Sequence, residues 1–259
     1  MKYKPSTTLY LLLLFTAVEF VGLYVTQKFE TRELPYTLEP PSLPDGWSIY
    51  YVIVGIVVVS VVFYLLTKLK YERFLKLWFS IAIIMSLAVS LSVFIGDIMG
   101  LIVGGVLTIL RLLTKDQYIH NFTELLIYGG IVSIFMPLFS PVSAFVLLII
   151  ISVYDYISVF ITKHMVTLAK TQASANLFTG LVVEHRDETA ILGGGDVAFS
   201  LLFASVLGAA YGVVYAYLTI YAAIIAVAGL TILGQKGKFY PAMPFITVAC
   251  AISYAMVLI

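Results

Sequence analysis

Nine stretches of this chain run for seventeen or more residues with few or no charges, and that repetition constrains the fold before any motif is read. They cover roughly residues 9–27, 49–67, 77–94, 97–113, 122–139, 142–162, 195–211, 214–233 and 241–259. A helix needs about 17 to 25 apolar residues to cross the hydrocarbon core of a bilayer. Only 11% of the residues are charged and 61% are hydrophobic, whereas a soluble domain carries about 25% charged residues. The expected fold class is therefore an all-α polytopic membrane protein with nine transmembrane helices, an integral, multi-pass protein of the cell membrane.

Charge placement orients it. Lys28 and Arg32 are the only two of the 15 Lys and Arg that fall on one side of this threading. The other side collects Lys2 and Lys4, Lys68 to Lys76, Arg111 and Lys115, Lys163 to Arg186, and Lys236 and Lys238. Positive charge accumulates on the cytoplasmic side, so the N-terminus is expected inside and the C-terminus outside. The first segment follows Lys2 and Lys4 as a signal peptide would. It is long and lacks a small-residue cleavage site, so it reads as a retained span. A lone cysteine, Cys250, rules out an internal disulfide. The net charge of +1 and the lack of a basic patch give no sign of a nucleic-acid partner.

Two connections are long. Lys28 to Ser48 carries Pro35, Pro40, Pro41 and Pro44 and reads as an outer loop. Lys163 to Leu192 is the long inner loop, dividing a six-helix part (1–162) from a three-helix part (193–259), with 163–192 as the cytoplasmic loop between them. Its end, "LVVEHRDETAIL", sets β-branched and apolar residues on either side of a polar turn, the pattern of a short β-hairpin before the seventh helix. A disordered loop is the alternative. Gly96, Gly100 and Gly104, and again Gly208 and Gly212, have the spacing that lets helices approach closely.

Acids inside membrane spans are expensive and face a bundle interior or a water cavity. Glu19, Asp97, Asp155 and Asp196 need an account, while Glu124 lies near enough to a span's inner end for headgroup exposure to explain it. Asp155 precedes Lys163 by eight residues, and Asp196 follows Glu188 by eight. At about 1.5 Å per helical residue both acids lie about 12 Å from the inner end of their spans. On successive antiparallel spans they can face each other. Two carboxyl groups that close share one proton, so the ionised member can take a proton from water while the other protonates a carbonyl oxygen.

Asp196 follows Gly193, Gly194 and Gly195 in "AILGGGD". Residues without Cβ atoms would let a substrate main chain come close, and an exposed strand edge at Leu192 could hold an unwound substrate by β-addition. The plain reading is a flexible helix start with a capping acid, and both stay open at this point. "YPAMPF" opens the ninth span from the same side, and Pro241 and Pro244 bracket Ala242 and Met243 with irregular backbone that only protein or water can cover.

Taken together, Tyr154-Asp155, Gly193-Gly194-Gly195-Asp196 and Pro241-Ala242-Met243-Pro244 resemble the presenilin/signal peptide peptidase family of intramembrane aspartyl proteases. That family's pattern is Tyr-Asp, then Gly-x-Gly-Asp, then Pro-Ala-Leu, and here Met243 stands in place of the leucine. The resemblance implies that Asp155 and Asp196 are the catalytic pair, that Gly193 and Gly195 shape the site, and that Pro241 to Met243 support acids and substrate. It implies hydrolysis of peptide bonds within transmembrane segments of other proteins, single-span proteins or peptides among them, with no cofactor and no metal. An N-inside orientation matches the presenilin branch. The compact chain looks like a stand-alone microbial homologue in contact with membrane lipid, compatible with a homo-oligomer.

Other signals point elsewhere or nowhere. Glu19 reads as an interior hydrogen-bonded carboxyl, and Asp97 as an N-cap between the third and fourth spans. His120, His164 and His185 lack metal-ligand spacing, no H-E-x-x-H occurs, and no G-x-S-x-G occurs. The competing reading is a proton- or cation-coupled transporter or leak channel using the same acids, although no internal repeat supports it. A prepilin-peptidase type of protease also carries Gly-x-Gly-Asp, but the downstream Pro-Ala-Met-Pro speaks against it.

Overall fold

The structure, a computed structural model, describes residues 3–39, 50–51, 54–55, 58, 62, 71–114, 116–161, 178–185, 188–235 and 240–257. Most of the span expected at 49–67 and most of the long inner loop lie outside the described residues. Among those described, the helices are α1 (Pro5–Phe29), α2 (Glu72–Ile95), α3 (Asp97–Leu113), α4 (Gln117–Phe135), α5 (Pro141–Tyr156), α6 (Gly194–Tyr211), α7 (Val213–Leu233) and α8 (Met243–Ala255). Two short strands, β1 (Gly180–His185) and β2 (Glu188–Gly193), precede α6. Among the described residues, six helical segments are long and apolar enough to cross a membrane, namely Pro5–Phe29, Arg73–Ile95, Gln117–Leu138, Pro141–Ile161, Gly194–Tyr211 and Val213–Leu233.

Helix boundaries follow local chemistry. α5 starts at a capping box in which Ser140 and Ser143 exchange side-chain and backbone hydrogen bonds, with Pro141 in the first turn. α4 starts at Asp116, whose carboxylate accepts from the amides of Tyr118 and Ile119. α2 and α3 are separated by Gly96 alone (φ 82°), and α6 and α7 by Gly212 alone (φ 107°). Both angles lie where a side chain is strained, so glycine makes these one-residue reversals possible. Asp97 is thus the first residue of α3 rather than its cap, and its carboxylate pairs with Arg32 at 2.6 Å.

α6 is the central helix. It packs against α1, α4, α5, α7 and α8, and its residues from Ser200 to Gly208 are buried without a break. A helix apolar on all sides belongs in the middle of a bundle. Small residues set the close approaches. Gly100 lies against the Ala88 carbonyl and Ser92 amide of α2, and a Cβ there would come within 2.9 Å of both. On Gly130 it would fall 1.9 Å from the Ser86 carbonyl oxygen, and on Gly22 it would meet Leu201 of α6.

β1 and β2 pair antiparallel from Gly180 opposite Gly193 to His185 opposite Glu188. Leu181, Val183, Ala190 and Leu192 are buried on one face and join the main core. The outer edge of β1 is taken by α4. The Asn121 side chain donates to the Val182 carbonyl (2.6 Å) and accepts from its amide (3.1 Å), and Gln117 accepts from the Glu184 amide at 3.0 Å. Glu124 accepts from the Gly180 amide at 3.1 Å, and His120 Nε2 lies 2.8 Å from the Gly180 carbonyl oxygen. A polar stripe on α4 therefore does for β1 what a third strand would do.

Candidate active site

Asp155 lies at the end of α5, one residue before the helix passes into a π-helical turn at Ile157–Ile161. Its side chain is buried, and Oδ2 accepts a hydrogen bond of 3.1 Å from the Met243 amide. The local sequence explains that donor. Pro241 and Pro244 have no amide hydrogen, so the chain entering α8 has few free donors. The Met243 amide sits in the unpaired first turn, where a helix N-terminus favours a negative charge. One turn along, Ser152 donates to Thr247 at 2.8 Å, and Thr247 donates to the Leu148 carbonyl at 3.3 Å. α5 and α8 are thus tied at two successive levels.

Asp196 comes from the other side. Gly193 ends β2 and is also the N-cap of α6, which puts Asp196 at the third helical position. Its carboxyl folds back over Gly193, whose amide hydrogen-bonds it, and a Cβ on Gly193 would stand 3.1 Å from Asp196 Oδ2. This is the returning half of a capping box. Asp155 and Asp196 lie within electrostatic reach of each other, on helices α5 and α6 that pack together. Each acid takes a main-chain amide as a partner.

The remaining site residues fall into two groups. Pro241, Ala242 and Met243 are buried beside Asp155, with Pro244 half-buried behind them in the first turn of α8. Gly193 and Gly194 lie at the junction of strand and helix, Gly195 is exposed, and Leu192 is buried in the ladder opposite Leu181. Tyr154 differs in burial: its side chain is 61% exposed. Asp97, paired with Arg32, plays no part in the pair.

Two groups beside the site carry no motif. Tyr128 of α4 is buried with its hydroxyl bonded to Glu124, and a Cβ on Gly194 would lie 2.8 Å from that oxygen. Glu124 is fully buried, not exposed to headgroups, and forms an ion pair of 2.5 Å with Arg111, which also donates to Thr123 (2.7 Å) and to the Phe178 carbonyl (2.9 Å). Arg111 and Glu124 sit on different helices thirteen residues apart, so helical periodicity could not have paired them. The N-terminal segment reaches β2. The Lys4 amide donates to Glu188 at 2.7 Å, and the Tyr3 hydroxyl bonds the Ile191 backbone. Burial raises the Tyr3 pKa above its ordinary value, the Ile191 bond opposes that, and the nearby Glu188 charge adds to it. Among the described residues, no group of three His, Cys, Asp or Glu could hold a metal ion.

Comparison with known proteins places this arrangement. Two crystal structures of a presenilin family intramembrane aspartate protease share the fold. The one in space group C222 has a TM-score of 0.72 at 19% identity, covering 97% of this chain and 98% of the other. The P2 form gives 0.71 at 18% identity, covering 100% and 99%. No curated protein sequence matches. A family model described as "Signal-peptide peptidase, presenilin aspartyl protease" matches residues 12–259. The chain is a multi-pass integral membrane protein that belongs to this family of signal-peptide peptidase and presenilin aspartyl proteases.

Proposed function

We propose that Asp155 and Asp196 are the water-activating pair of this intramembrane aspartyl protease, and that its substrates are single transmembrane segments cut after local unwinding. What carries the reading is the meeting of the two acids at the ends of α5 and α6, each steadied by a main-chain amide and neither paired with a cation among the described residues. The transporter reading has no observation of its own to set against this.

The chemistry follows from one shared proton. The ionised carboxylate takes a proton from water, and the oxygen adds to the substrate carbonyl carbon. The protonated carboxyl gives its proton to the carbonyl oxygen. Proton transfer to the amide nitrogen then lets the C–N bond break, leaving an acid and an amine. Because the pair titrates as a unit, neither Asp is assigned one role.

The sheet supports a mode of substrate binding. Among the described residues α4 occupies the β1 edge, so an extended segment would add beside β2, where main-chain hydrogen bonds would lead it past Gly193 and exposed Gly195 to Asp196. The Tyr3 hydroxyl would be displaced from Ile191. Nine spans, with the N-terminus inside, complete the reading and put the acids toward the cytoplasmic side. They rest on the bias of Lys and Arg and on the apolar run at 49–67.

The deciding experiment uses purified protein and a single-span substrate in detergent. Asp155→Asn and Asp196→Asn should each abolish cleavage while the protein stays folded. Cleavage that persists in both would exclude this site, and ion flux lost in both without proteolysis of any substrate would favour the transporter.

A further inference from the structure

Glu19, in the middle of α1, is fully buried. Among the described residues it has no ion-pair partner. Its Oε1 shares a hydrogen bond with Ser200 Oγ of α6, and its Oε2 is buried with no partner. Ser200 is one turn beyond Asp196, and its hydroxyl lies 2.9 Å from the Asp196 carbonyl oxygen and 3.0 Å from that of Val197. Around this point α1 and α6 are clamped. Gly22 admits Leu201, and Thr26 shares a hydrogen bond of 3.0 Å with Ser205.

A serine hydroxyl has a single hydrogen, and here three acceptors surround it. An ionised Glu19 would claim that hydrogen and leave a carboxylate in an apolar interior with one partner, a costly arrangement. A neutral Glu19 donates its own hydrogen to Ser200 Oγ instead. That frees the serine hydrogen for the Asp196 carbonyl, and the remaining carboxyl oxygen is then a plain carbonyl, which tolerates isolation better. The unpartnered Oε2 fits the second arrangement.

We infer that Glu19 is a positioning residue for Asp196, acting as a neutral hydrogen-bond donor that turns Ser200 onto the Asp196 carbonyl and fixes the first turn of α6. It touches neither substrate nor the reacting atoms, and the inference rests on Asp196 being one of the two acids.

The test is a double-mutant cycle on kcat and KM with a single-span substrate in detergent, with melting temperature as the check on folding. Glu19→Gln keeps a neutral donor and should hold kcat within about twofold. Glu19→Leu and Ser200→Ala should each lower kcat about tenfold with KM little changed, and the double variant should be no worse than the weaker single. Should Glu19→Leu not fold, Glu19→Gln and Ser200→Ala alone and combined carry the comparison. A Glu19→Gln enzyme losing about tenfold or more, losses that multiply in the double variant, or an unchanged kcat in Ser200→Ala would overturn the inference. Asp196→Asn beside them separates two failures. Retained cleavage there overturns the acid pair and this inference together, whereas abolished cleavage with a flat Glu19 and Ser200 series overturns this inference alone.

Discussion

Gly194 and Tyr128 are packed so closely that a single added carbon on the glycine would sit 2.8 Å from the tyrosine hydroxyl. The Thr179 carbonyl carbon and oxygen, at 3.2 Å from that same position, close the other side. The middle residue of the glycine triplet is therefore held by protein, not left open to substrate.

Gly194→Ala should cost stability as well as activity, because the Thr179 backbone cannot rotate away. Overpacking of this kind destabilises by about 1–3 kcal/mol. Gly195→Ala is the contrast: the nearest atom to its added carbon is 3.7 Å away on Phe199. Thermal unfolding in detergent should fall for the first variant and hold for the second, while cleavage falls for both if substrate main chain passes Gly195.

Gly193→Ala should act on chemistry more than on folding. Its added carbon would press on Asp196 Oδ2, and the carboxyl can rotate to relieve the contact. The expected outcome is a fall in kcat of about tenfold with a melting temperature close to wild type.

Glu124→Gln or Glu124→Leu should be strongly destabilising. Each leaves Arg111 buried without its counter-charge, and removing one partner of a buried ion pair costs about 3–5 kcal/mol. Replacing Arg111 and Glu124 together with apolar residues should recover part of the loss in a melting experiment. By comparison Asp97→Asn, whose pairing with Arg32 is exposed, should change stability by about 1 kcal/mol or less.

Tyr3→Phe removes the hydroxyl from the β2 edge. If substrate adds to that edge, KM should fall by about twofold to threefold with kcat unchanged. A KM that rises would show that Tyr3 assists the substrate instead of yielding to it.

Much of the site was legible because its chemistry is local. The glycine triplet before Asp196 marks a strand-to-helix junction, and two prolines around Ala242 and Met243 mark a helix start with few amide donors. Equal offsets of eight residues from Lys163 and Glu188 place Asp155 and Asp196 at matching positions along successive spans of the sequence. The Arg111–Glu124 pair was not legible, since both residues sit near span ends where a charge is ordinarily solvated. In the fold both are buried, with Arg111 donating to the Phe178 carbonyl and Glu124 accepting from the Gly180 amide. Tyr154 follows a different rule: adjacency to Asp155 in sequence puts it about 100° away around a helix, and its side chain is exposed while that of Asp155 is buried. Gly96 and Gly212 belong to packing patterns by spacing, yet each is the one-residue reversal between two helices, because positive φ is a property that spacing does not encode.

The amide that holds Asp155 belongs to the main chain, so no side-chain replacement at position 243 removes it except proline. An alanine scan through 240–245 would pass over this contact in silence. Drift between leucine and methionine at that position leaves the carboxyl's support untouched, which is how the last motif can vary in letter while its mechanical duty stays fixed.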